Sequence, residues 1–344
     1  MPAFTDLPLW ANLAVFLGCG LVIAFAGVRI VGLGDRLADR TGLGEAVVGA
    51  VLLGGTTSLA GSVLSIVATV DGNTGIAISN CLGGIAGQTA FLGIADITYR
   101  RANLEHAAAS QANLSQGVLL VVLLALPLMA HALPGWTLWH ISPATPVLLA
   151  GYAFGLRLVR EAHTAPMWRP QQTEETREDV PAPENREASL PGLLGRFALY
   201  AAALAGAGYL LSQSAPVLMH ESGLSDTLVG GVFTALTTSL PEFIVVIAAV
   251  RQGALTLAIG NIIGGNCFDV LFLAFSDLAY TGGSLYALLS ESHLYLLALN
   301  ILMTAILLLG LLRRVKRGIA GIGFESVLIL LLYTGSFALL AALG

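Results

Sequence analysis

The sequence predicts an all-α integral membrane protein with about ten transmembrane helices, arranged as two inverted five-helix repeats. Three observations predict it: a chain that is 56% hydrophobic and only 11% charged, an internal repeat, and basic residues confined to alternate loops. Soluble domains carry about 25% charged residues, so a soluble class is excluded. The net charge of −5 gives no reason to expect a nucleic-acid partner.

Long charge-free segments supply the predicted helices, in a chain with a mean hydropathy of +0.81. A spanning helix needs roughly 20 apolar residues. The segments that meet this need lie at about 8–32, 46–70, 74–98, 112–134, 145–161, 193–217, 227–250, 254–279, 289–312 and 321–343. The lipid bilayer is therefore the expected partner, and the sequence leaves the oligomeric state open.

The basic residues predict the orientation. All 16 Lys and Arg residues fall in or beside the loops after predicted spans 1, 3, 5, 7 and 9. Because Lys and Arg mark the cytoplasmic side, we expect both termini to be extracytoplasmic and segment 162–192 to be cytoplasmic. The expected location is the plasma (inner) membrane, with a multi-pass chain.

The repeat is direct in sequence. Residues 41–96 recur at 222–277 with a constant offset of 181 and no gap, and about 20 of the 56 aligned pairs are identical. Five spans per half make the second half enter the membrane from the opposite side, so the two copies are expected to be inverted.

The repeat divides the chain into three parts. The first five-helix repeat covers 1–161, with its internal α-repeat at about 41–98, and the second covers 193–344, with its α-repeat at about 222–279. Segment 162–192 joins them. It is rich in Glu, Pro, Arg and Gln, a composition typical of a solvated, disordered linker.

The second copy carries the chemistry in predicted span 7. Pro241 lacks a backbone donor and is expected to kink the helix, beside the hydroxyls of Thr238 and Ser239. Glu242 places a carboxylate near mid-membrane, which costs about 2.5–3.5 kcal/mol. No Lys or Arg is predicted at that depth, so Glu242 is a functional candidate.

Predicted span 8 supplies a second carboxylate. Asn261, Gly265 and Asp269 follow one another at intervals of four residues and share a helix face. Together with Glu242 they predict an all-oxygen site, the ligand set of hard cations such as calcium or sodium. Zinc or copper would favour His and Cys ligands.

The first copy differs from the second at the charged positions. Gly61 stands where Glu242 stands, Ala60 where Pro241 stands, and Gln88 where Asp269 stands. The hydroxyl and amide residues remain in this copy, namely Thr57, Ser58 and Asn80. We therefore expect span 2 to keep oxygen ligands but to lack both the charge and the kink.

Acidic residues at span ends have a simpler expected role. Asp96 and Asp277 match one another at the ends of spans 3 and 8, and Glu45 and Asp226 match at the starts of spans 2 and 7. We expect the first pair to serve helix ends or interfaces. The second pair suits charge complementation of helix N-termini, with the lining of an entrance as an alternative.

These motifs resemble those of the cation/calcium antiporter superfamily, which includes sodium/calcium and proton/calcium exchangers. That family carries a Thr-Ser-x-Pro-Glu motif and a Gly-Asn-x-x-Gly-Ser-Asn-type motif in two inverted repeats. The resemblance implies one cation pathway at the repeat interface, with spans 1 and 6 sliding. The candidate cation ligands are Glu242, Asp269, Thr238, Ser239, Thr57, Ser58, Gln88, Asn80 and Asn261.

The resemblance implies a secondary active cation antiporter, not an enzyme, with no resident cofactor. The transported substrates would be cations such as Ca²⁺, Na⁺ or H⁺. The family's first-repeat acid is Gly61 here, and its motif serines are Gly84 and Gly265, so we expect altered ion selectivity or stoichiometry. A non-transporting regulator or scaffold of the same fold is the alternative. An enzyme is disfavoured because the His residues lie in loops or near span ends without an HExxH motif.

Overall fold

The computed structural model describes residues 7–99, 101–133, 135–176, 189–221, 238–318 and 322–343. These residues form thirteen α-helices and no β-strand. In chain order the helices are α1 Leu9–Thr41, α2 Glu45–Thr57, α3 Leu59–Val70, α4 Thr74–Thr98, α5 Leu104–Ala107, α6 Gln111–Ala132, α7 Ala144–Thr164, α8 Leu190–Glu221, α9 Leu240–Gln252, α10 Leu255–Asp269, α11 Leu271–Ala279, α12 Glu291–Arg313 and α13 Phe324–Leu343.

The all-α prediction is confirmed within the described residues. Each of the ten predicted spans coincides with helix there, and six helices are long and apolar enough to cross a membrane, or seven with the bent pair α2–α3. The count of ten spans stays a prediction. Residues 222–237, which include Asp226, Thr237 and the predicted start of span 7, lie outside the described residues.

Burial separates a central layer from a peripheral one. In α4 and in the α10–α11 segment, 83% and 94% of the apolar window is buried, against 33% in α1 and 28% in α8. Helices α1 and α8 pack more extensively on each other than on the rest of the bundle. The buried polar motifs of α4 and α10 therefore lie in the centre of the molecule.

Glycine allows α2 and α10 to cross with their backbones in contact. A Cβ atom on Gly54 would lie 2.6 Å from the backbone nitrogen of Gly265, and one on Gly264 would overlap Cα of Ala50. Only glycine permits such a close approach between helices. The crossing brings the end of α2 against the middle of α10.

The expectation that span 2 lacks a kink is wrong. Helices α2 and α3 meet at an angle of 45° although Ala60 replaces proline. The bend follows a π-helical turn at Gly49–Gly54, a known cause of helix kinks. The Thr57 hydroxyl also donates to backbone oxygens one turn earlier, at 3.0 and 3.1 Å, a bond that bends helices.

The kink expected at Pro241 takes a different form. Pro241 lies in the first turn of α9, which begins at Leu240 after a turn at Ser239. Proline is well tolerated there because the first N–H groups of a helix have no partner within the helix. Ser58 and Ser239 occupy matching positions in the repeat. Each is a single non-helical turn residue, and the next helix, α3 or α9, begins directly after it.

Asp96 ties three segments together at one end of the bundle. Its Oδ1 atom accepts a hydrogen bond from the backbone N–H of Leu104 at 2.7 Å, and its Oδ2 atom accepts one from Gly323 at 2.9 Å. We call this end the basic face, since Arg313, Arg314 and other helix-end arginines lie there. The expected helix-end role of Asp96 is confirmed.

Asp277 makes the matching tie at the other end, which we call the opposite face. Its Oδ1 atom accepts from Leu285 N–H at 2.8 Å and its Oδ2 atom from Ser142 N–H at 2.9 Å. Asp277 and Leu285 lie 181 positions after Asp96 and Leu104, and Gly323 lies 181 positions after Ser142. Both hydrogen bonds of the Asp96 tie therefore recur, between matched residues, in the Asp277 tie. Helix α12 connects the two ties and is about 34 Å long.

Glu45 complements a helix N-terminus, although not its own. It stands in the first turn of α2, and its Oε2 atom accepts a hydrogen bond from the backbone N–H of Leu257 at 3.0 Å. Leu257 lies in the first turn of α10, where a carboxylate is favoured by the unpaired N–H groups. The charge-complementation role is thereby confirmed for Glu45, whereas Asp226 lies outside the described residues.

The expectation of a disordered linker is wrong for its first part. Residues 165–176 cross the basic face and are hydrogen-bonded to it. Arg314 donates to the backbone oxygen of Gln171 at 2.5 Å, His106 is bonded to Thr173 at 2.8 Å, and Lys316 pairs with Glu175. Residues 177–188 lie outside the described residues.

The glycine crossing gives a stability test. Gly264→Ala is expected to destabilise the protein by at least about 1–3 kcal/mol, because the new methyl group overlaps the α2 backbone. At Gly206 in α8 an added methyl group would have no atom within 4 Å, so Gly206→Ala is the control and is expected to be neutral or stabilising by about 1 kcal/mol. Thermal unfolding of the purified protein measures both, and equal midpoints for the two variants would contradict the crossing.

Candidate functional site

A small cavity of about 10 Å³ lies where the two helix breaks face α4 and α10. That volume is close to the space that one water molecule needs. Seven of the nine predicted ligands line it, together with two glycines and a phenylalanine. The lining residues are Ser58, Gly61, Asn80, Gly84, Gln88, Thr238, Ser239, Glu242, Asp269 and Phe272.

Glu242 enters the cavity from the start of α9. Its side chain is 1% exposed, and its Oε1 atom accepts a hydrogen bond from the Ser58 hydroxyl at 3.3 Å. Its Oε2 atom has no hydrogen-bond partner. The position in the first helical turn favours a negative charge, but one carboxylate oxygen stays available for a ligand.

Asp269 enters from the end of α10 and is held by Gln88 of α4. The Gln88 amide donates to Oδ2 of Asp269 at 2.6 Å and lies 3.5 Å from the Ser239 hydroxyl. Oδ1 of Asp269 and Oε1 of Gln88 have no hydrogen-bond partner. The matched residues 88 and 269 therefore meet across the repeat, each with one oxygen to spare.

Asn80 organises the other side of the cavity. Its amide donates to the backbone oxygen of Gly61 at 3.1 Å and to the Ser65 hydroxyl at 2.9 Å, while its Oδ1 atom accepts from Thr238 at 3.1 Å. These bonds join α3, α4 and the segment before α9. Asn80 is thus fully engaged as a link between the two halves.

Two predicted ligands do not line the cavity. Thr57 faces its own helix through its hydroxyl, as described above, and Asn261 lies two turns before Asp269, where α10 crosses α2. Asn261 is fully buried, and neither its Oδ1 nor its Nδ2 atom has a hydrogen-bond partner. The shared helix face predicted for Asn261 and Asp269 spans about 12 Å, too far for both side chains to reach one ion.

Phe272 is the lining residue that the sequence motifs missed. A Cβ atom on Gly61 would lie 2.8 Å from Cε2 of the Phe272 ring, so the ring fills the space beside the position where the first repeat lacks its acid. Its spacing of three residues from Asp269 is a signal that the sequence contained, since such residues share a helix face.

The donor atoms that line the cavity are of the kind that hard cations prefer. Carboxylate, hydroxyl and amide oxygens converge there, and Glu242 and Asp269 each keep an oxygen without a partner. Within the described residues no group of three His, Cys, Asp or Glu side chains is arranged to hold a metal ion, and neither of the two ion pairs found involves these carboxylates. A cation would therefore be the compensating charge.

Comparison with known families gives a match over most of the chain. The sequence profile of the family described as "Sodium/calcium exchanger protein" matches residues 11–158 and 192–341. The two matched blocks leave out the linker between the repeats. They include every lining residue of the cavity.

Curated relatives match over shorter segments. The chain is 40% identical over 82 residues to the sodium/calcium exchanger MaX1 of Methanosarcina acetivorans, covering 23% of each chain. It is 33% identical over 118 residues to the putative antiporter CaxA of Alkalimonas amylolytica, covering 34% of this chain and 37% of that one. The matched segments thus span about a quarter to a third of these relatives' length.

Solved structures match along the whole chain. The sodium-calcium exchanger NCX_Mj soaked with 10 mM Na⁺ and zero Ca²⁺ superposes with a TM-score of 0.70 at 21% identity, over 96% of this chain and 99% of that one. The same exchanger soaked with 2.5 mM Na⁺ and 10 mM Sr²⁺ gives a TM-score of 0.69 at 22% identity. The likeness establishes the fold.

The contact between Gly61 and Phe272 is testable by a double-mutant cycle. Gly61→Ala is expected to destabilise the protein by about 1–3 kcal/mol because its methyl group meets the ring. In a Phe272→Ala background the same change is expected to cost at least about 1 kcal/mol less. Gly84→Ala is the control, since its nearest contact is 3.6 Å. Additive changes in the unfolding free energy would contradict the contact.

Proposed function

Since the chain belongs to the sodium/calcium exchanger protein family, we propose that it is a secondary active cation antiporter whose transported ion binds between Glu242 and Asp269. The names of the similar proteins, exchangers and an antiporter, support this class. The observation that carries the proposal is the pair of buried carboxylates, each with one oxygen lacking a partner, beside a water-sized cavity.

The number of carboxylates in the site restricts which ions it can hold. The site holds two carboxylates, both from the second half, because Gly61 and Phe272 take the place of a first-repeat acid. Two negative charges neutralise one divalent ion, such as Ca²⁺, or two monovalent ions, such as Na⁺ or H⁺. They compensate several bound sodium ions less well, and fewer charged ligands lower calcium affinity. We therefore propose an altered selectivity or stoichiometry.

The remaining ligand oxygens come from Ser58, Ser239 and Gln88, which line the cavity. Thr238 and Asn80 line it as well, but their bond to each other occupies the Asn80 amide oxygen in this conformation. Asn261 lies outside the cavity, so we assign it to the conformational change and not to ion ligation. Thr57 is not part of the lining either, although its hydroxyl interacts with the Glu242 carboxylate, and we assign it to the conformational change as well.

Alternating access is the proposed transport mode, with the α1–α8 pair sliding over the central helices. Each helix of the pair packs more extensively on the other than on the central helices. Glycines mark its approach to the core: a Cβ on Gly27 would lie 2.8 Å from Ile244, and one on Gly208 would lie 3.1 Å from Ala60. Positions 27 and 208 differ by 181, the offset of the repeat.

An asymmetry between the halves supports two conformations. Thr238 donates to Asn80 at 3.1 Å, and the matched pair is Thr57 and Asn261. In this structure Thr57 instead donates to its own helix, and Asn261 has no partner. We propose that the opposite-facing state exchanges the two arrangements, forming the bond between Thr57 and Asn261 and breaking the one between Thr238 and Asn80.

The proposed topology has ten spans in two inverted repeats, at 1–161 and 193–344. The recurrence of the Asp96 and Asp277 ties at an offset of 181, at opposite ends of α12, supports the inversion. By the distribution of Lys and Arg, we assign the basic face and linker 162–192 to the cytoplasm and both termini to the outside, in the plasma (inner) membrane.

The first test is a flux panel in proteoliposomes: Ca²⁺, Mg²⁺, Mn²⁺, Na⁺ and K⁺ against sodium or proton gradients. We expect gradient-driven exchange of at least one divalent cation. Glu242→Gln and Asp269→Asn are each expected to lower it at least about tenfold, since charge count tunes cation affinity over decades. Glu291→Gln, an exposed carboxylate at the start of α12, is the control and is expected to exchange at the wild-type rate.

Two outcomes would redirect the proposal. Wild-type exchange in the Glu242→Gln protein would remove that carboxylate from the site. Absence of any flux in the folded wild-type protein would favour the alternative, a non-transporting regulator or scaffold of the same fold, to which the missing acid at Gly61 also points.

The second test concerns the two conformations. Asn261→Ala removes a buried amide without partners and is expected to keep the stability of this structure while slowing exchange. Asn80→Ala breaks bonds that this structure makes and is expected to cost about 1–3 kcal/mol of stability. Thermal unfolding and flux are measured on both. An Asn261→Ala protein that exchanges at the wild-type rate would refute the proposed bond exchange.

A further inference from the structure

The Asp96 tie at the basic face holds two further carboxyl groups. Glu105 of α5 and Glu325 in the first turn of α13 lie beside it, and all three side chains are at most 1% exposed. Ser326 donates to Oε1 of Glu105 at 3.4 Å. No step of the proposed transport cycle uses this cluster, which lies at the end of α4, about 12 Å along the helix from Gln88.

The matching tie at the opposite face shows what the helix packing alone requires. Positions 105 and 325 correspond, at the offset of 181, to Tyr286 and Ala144. There Thr145 donates to Asp277 at 2.6 Å and lies 3.1 Å from the Tyr286 hydroxyl. The same aspartate tie is thus surrounded by neutral groups at the opposite face and by two added acids at the basic face.

A glycine on the neighbouring helix α12 leaves space for the side chain of Glu325. A Cβ atom on Gly310 of α12 would lie 2.5 Å from Cγ of Glu325, so glycine is required opposite this glutamate. The corresponding pair at the opposite face is Met129 and Ala144, in which the large and the small residue are exchanged. Glu325 is therefore accommodated as a buried residue.

The contact between the two glutamates requires a proton. Glu105 and Glu325 share one buried cluster: Ser326, the neighbour of Glu325, donates to Glu105, and a Cβ atom on Gly323 would lie against Oε1 of Glu325 and 3.4 Å from Oδ2 of Asp96. The two carboxyl groups interact directly, and a carboxylate can only accept hydrogen bonds. Oε2 of each has no other hydrogen-bond partner. Two adjacent buried carboxylates cannot both stay ionised, as in carboxyl pairs that share one proton.

The charges around the pair do not replace that proton. Asp96, from α4, is a third acid. Arg313, at the end of α12, stacks on Phe324 and attracts Glu325 only from a distance. In the described part of the chain no Lys or Arg forms an ion pair with any of the three carboxyls.

The remaining titratable groups at the basic face are turned elsewhere. His106, next to Glu105, is bonded to the backbone oxygen of Arg314 at 2.6 Å and to Thr173. Arg314 donates to the backbone oxygen of His106, and Lys316 pairs with Glu175 of the linker.

We propose that Glu105 and Glu325 form an exchangeable proton-binding site, in which one shared proton ties α5 to the start of α13 at the basic face. The tie at the opposite face needs no proton, so the two ends of the molecule respond differently to pH. The proposal does not rest on the transport function, because its tests measure protonation and stability and not flux.

The electrostatics agree with this assignment. Burial, followed by the charges of Asp96 and Glu325, raises the pKa of the Glu105 carboxyl well above its ordinary value. The shared proton is therefore kept to a higher pH than the proton of an ordinary glutamate.

Infrared difference spectroscopy tests the site directly. The protein used carries Glu242→Gln and Asp269→Asn, so that the central carboxyls do not contribute. We expect a protonated-carboxyl C=O band at neutral pH that disappears at alkaline pH. Glu105→Gln and Glu325→Gln should each abolish the titrating band, and Glu291→Gln should leave it unchanged.

Three outcomes would overturn the proposal. A band that persists unchanged to strongly alkaline pH would make the pair a permanent structural hydrogen bond. A band absent already at neutral pH would mean that the pair is ionised. Loss of the band on adding Ca²⁺ or Mg²⁺ at constant pH would make the cluster a divalent-cation site instead.

Stability against pH gives an independent measurement. The folded state binds the shared proton more tightly than the unfolded state, so the unfolding equilibrium constant should rise with pH. The rise is by up to tenfold per pH unit, or about 1.4 kcal/mol, from the ordinary glutamate pKa up to the raised one. Glu325→Gln should flatten this dependence and retain the fold, and an unchanged slope would count against the site.

Discussion

Burying a carboxylate in an apolar helical bundle costs several kcal/mol unless another charge compensates it, and this protein buries two side by side. Glu242 and Asp269 lie in the centre of the bundle, and within the described residues no basic side chain pairs with them. The first turn of α9 and the amide of Gln88 offset part of the cost. Under the proposed function, a bound cation offsets the remainder.

The rest of the architecture follows from bringing those two carboxylates together. They reach the same point because α3 and α9 each begin directly after a serine turn, and because glycines let α10 cross α2 at backbone distance. Close packing leaves only about 10 Å³ between the lining side chains. The cavity is held between packed helices, and the less buried α1–α8 pair lies at the periphery of the bundle.

The internal repeat makes the two halves similar in structure, and the positions at which they differ carry the charged groups. The ties at Asp96 and Asp277 are the same device used at both ends of the bundle. The halves differ in that the second half carries both central carboxylates and the basic-face tie has two more acids, Glu105 and Glu325. Comparing matched positions separates what the fold requires from what function added.

The sequence alone determined the helical membrane class, the family and seven of the ten cavity residues, because apolar length, an ungapped repeat and short motifs are local properties of the chain. Three features were decided only by tertiary structure. The bend at Ser58 without proline depends on a π-helical turn, Asn261 is withdrawn from the cavity by the crossing of α2 and α10, and Phe272 fills the space beside Gly61 from another helix. The meeting of Glu105 with Glu325 joins positions 220 residues apart, and only the packing of α13 against α4 and α12 brings them together.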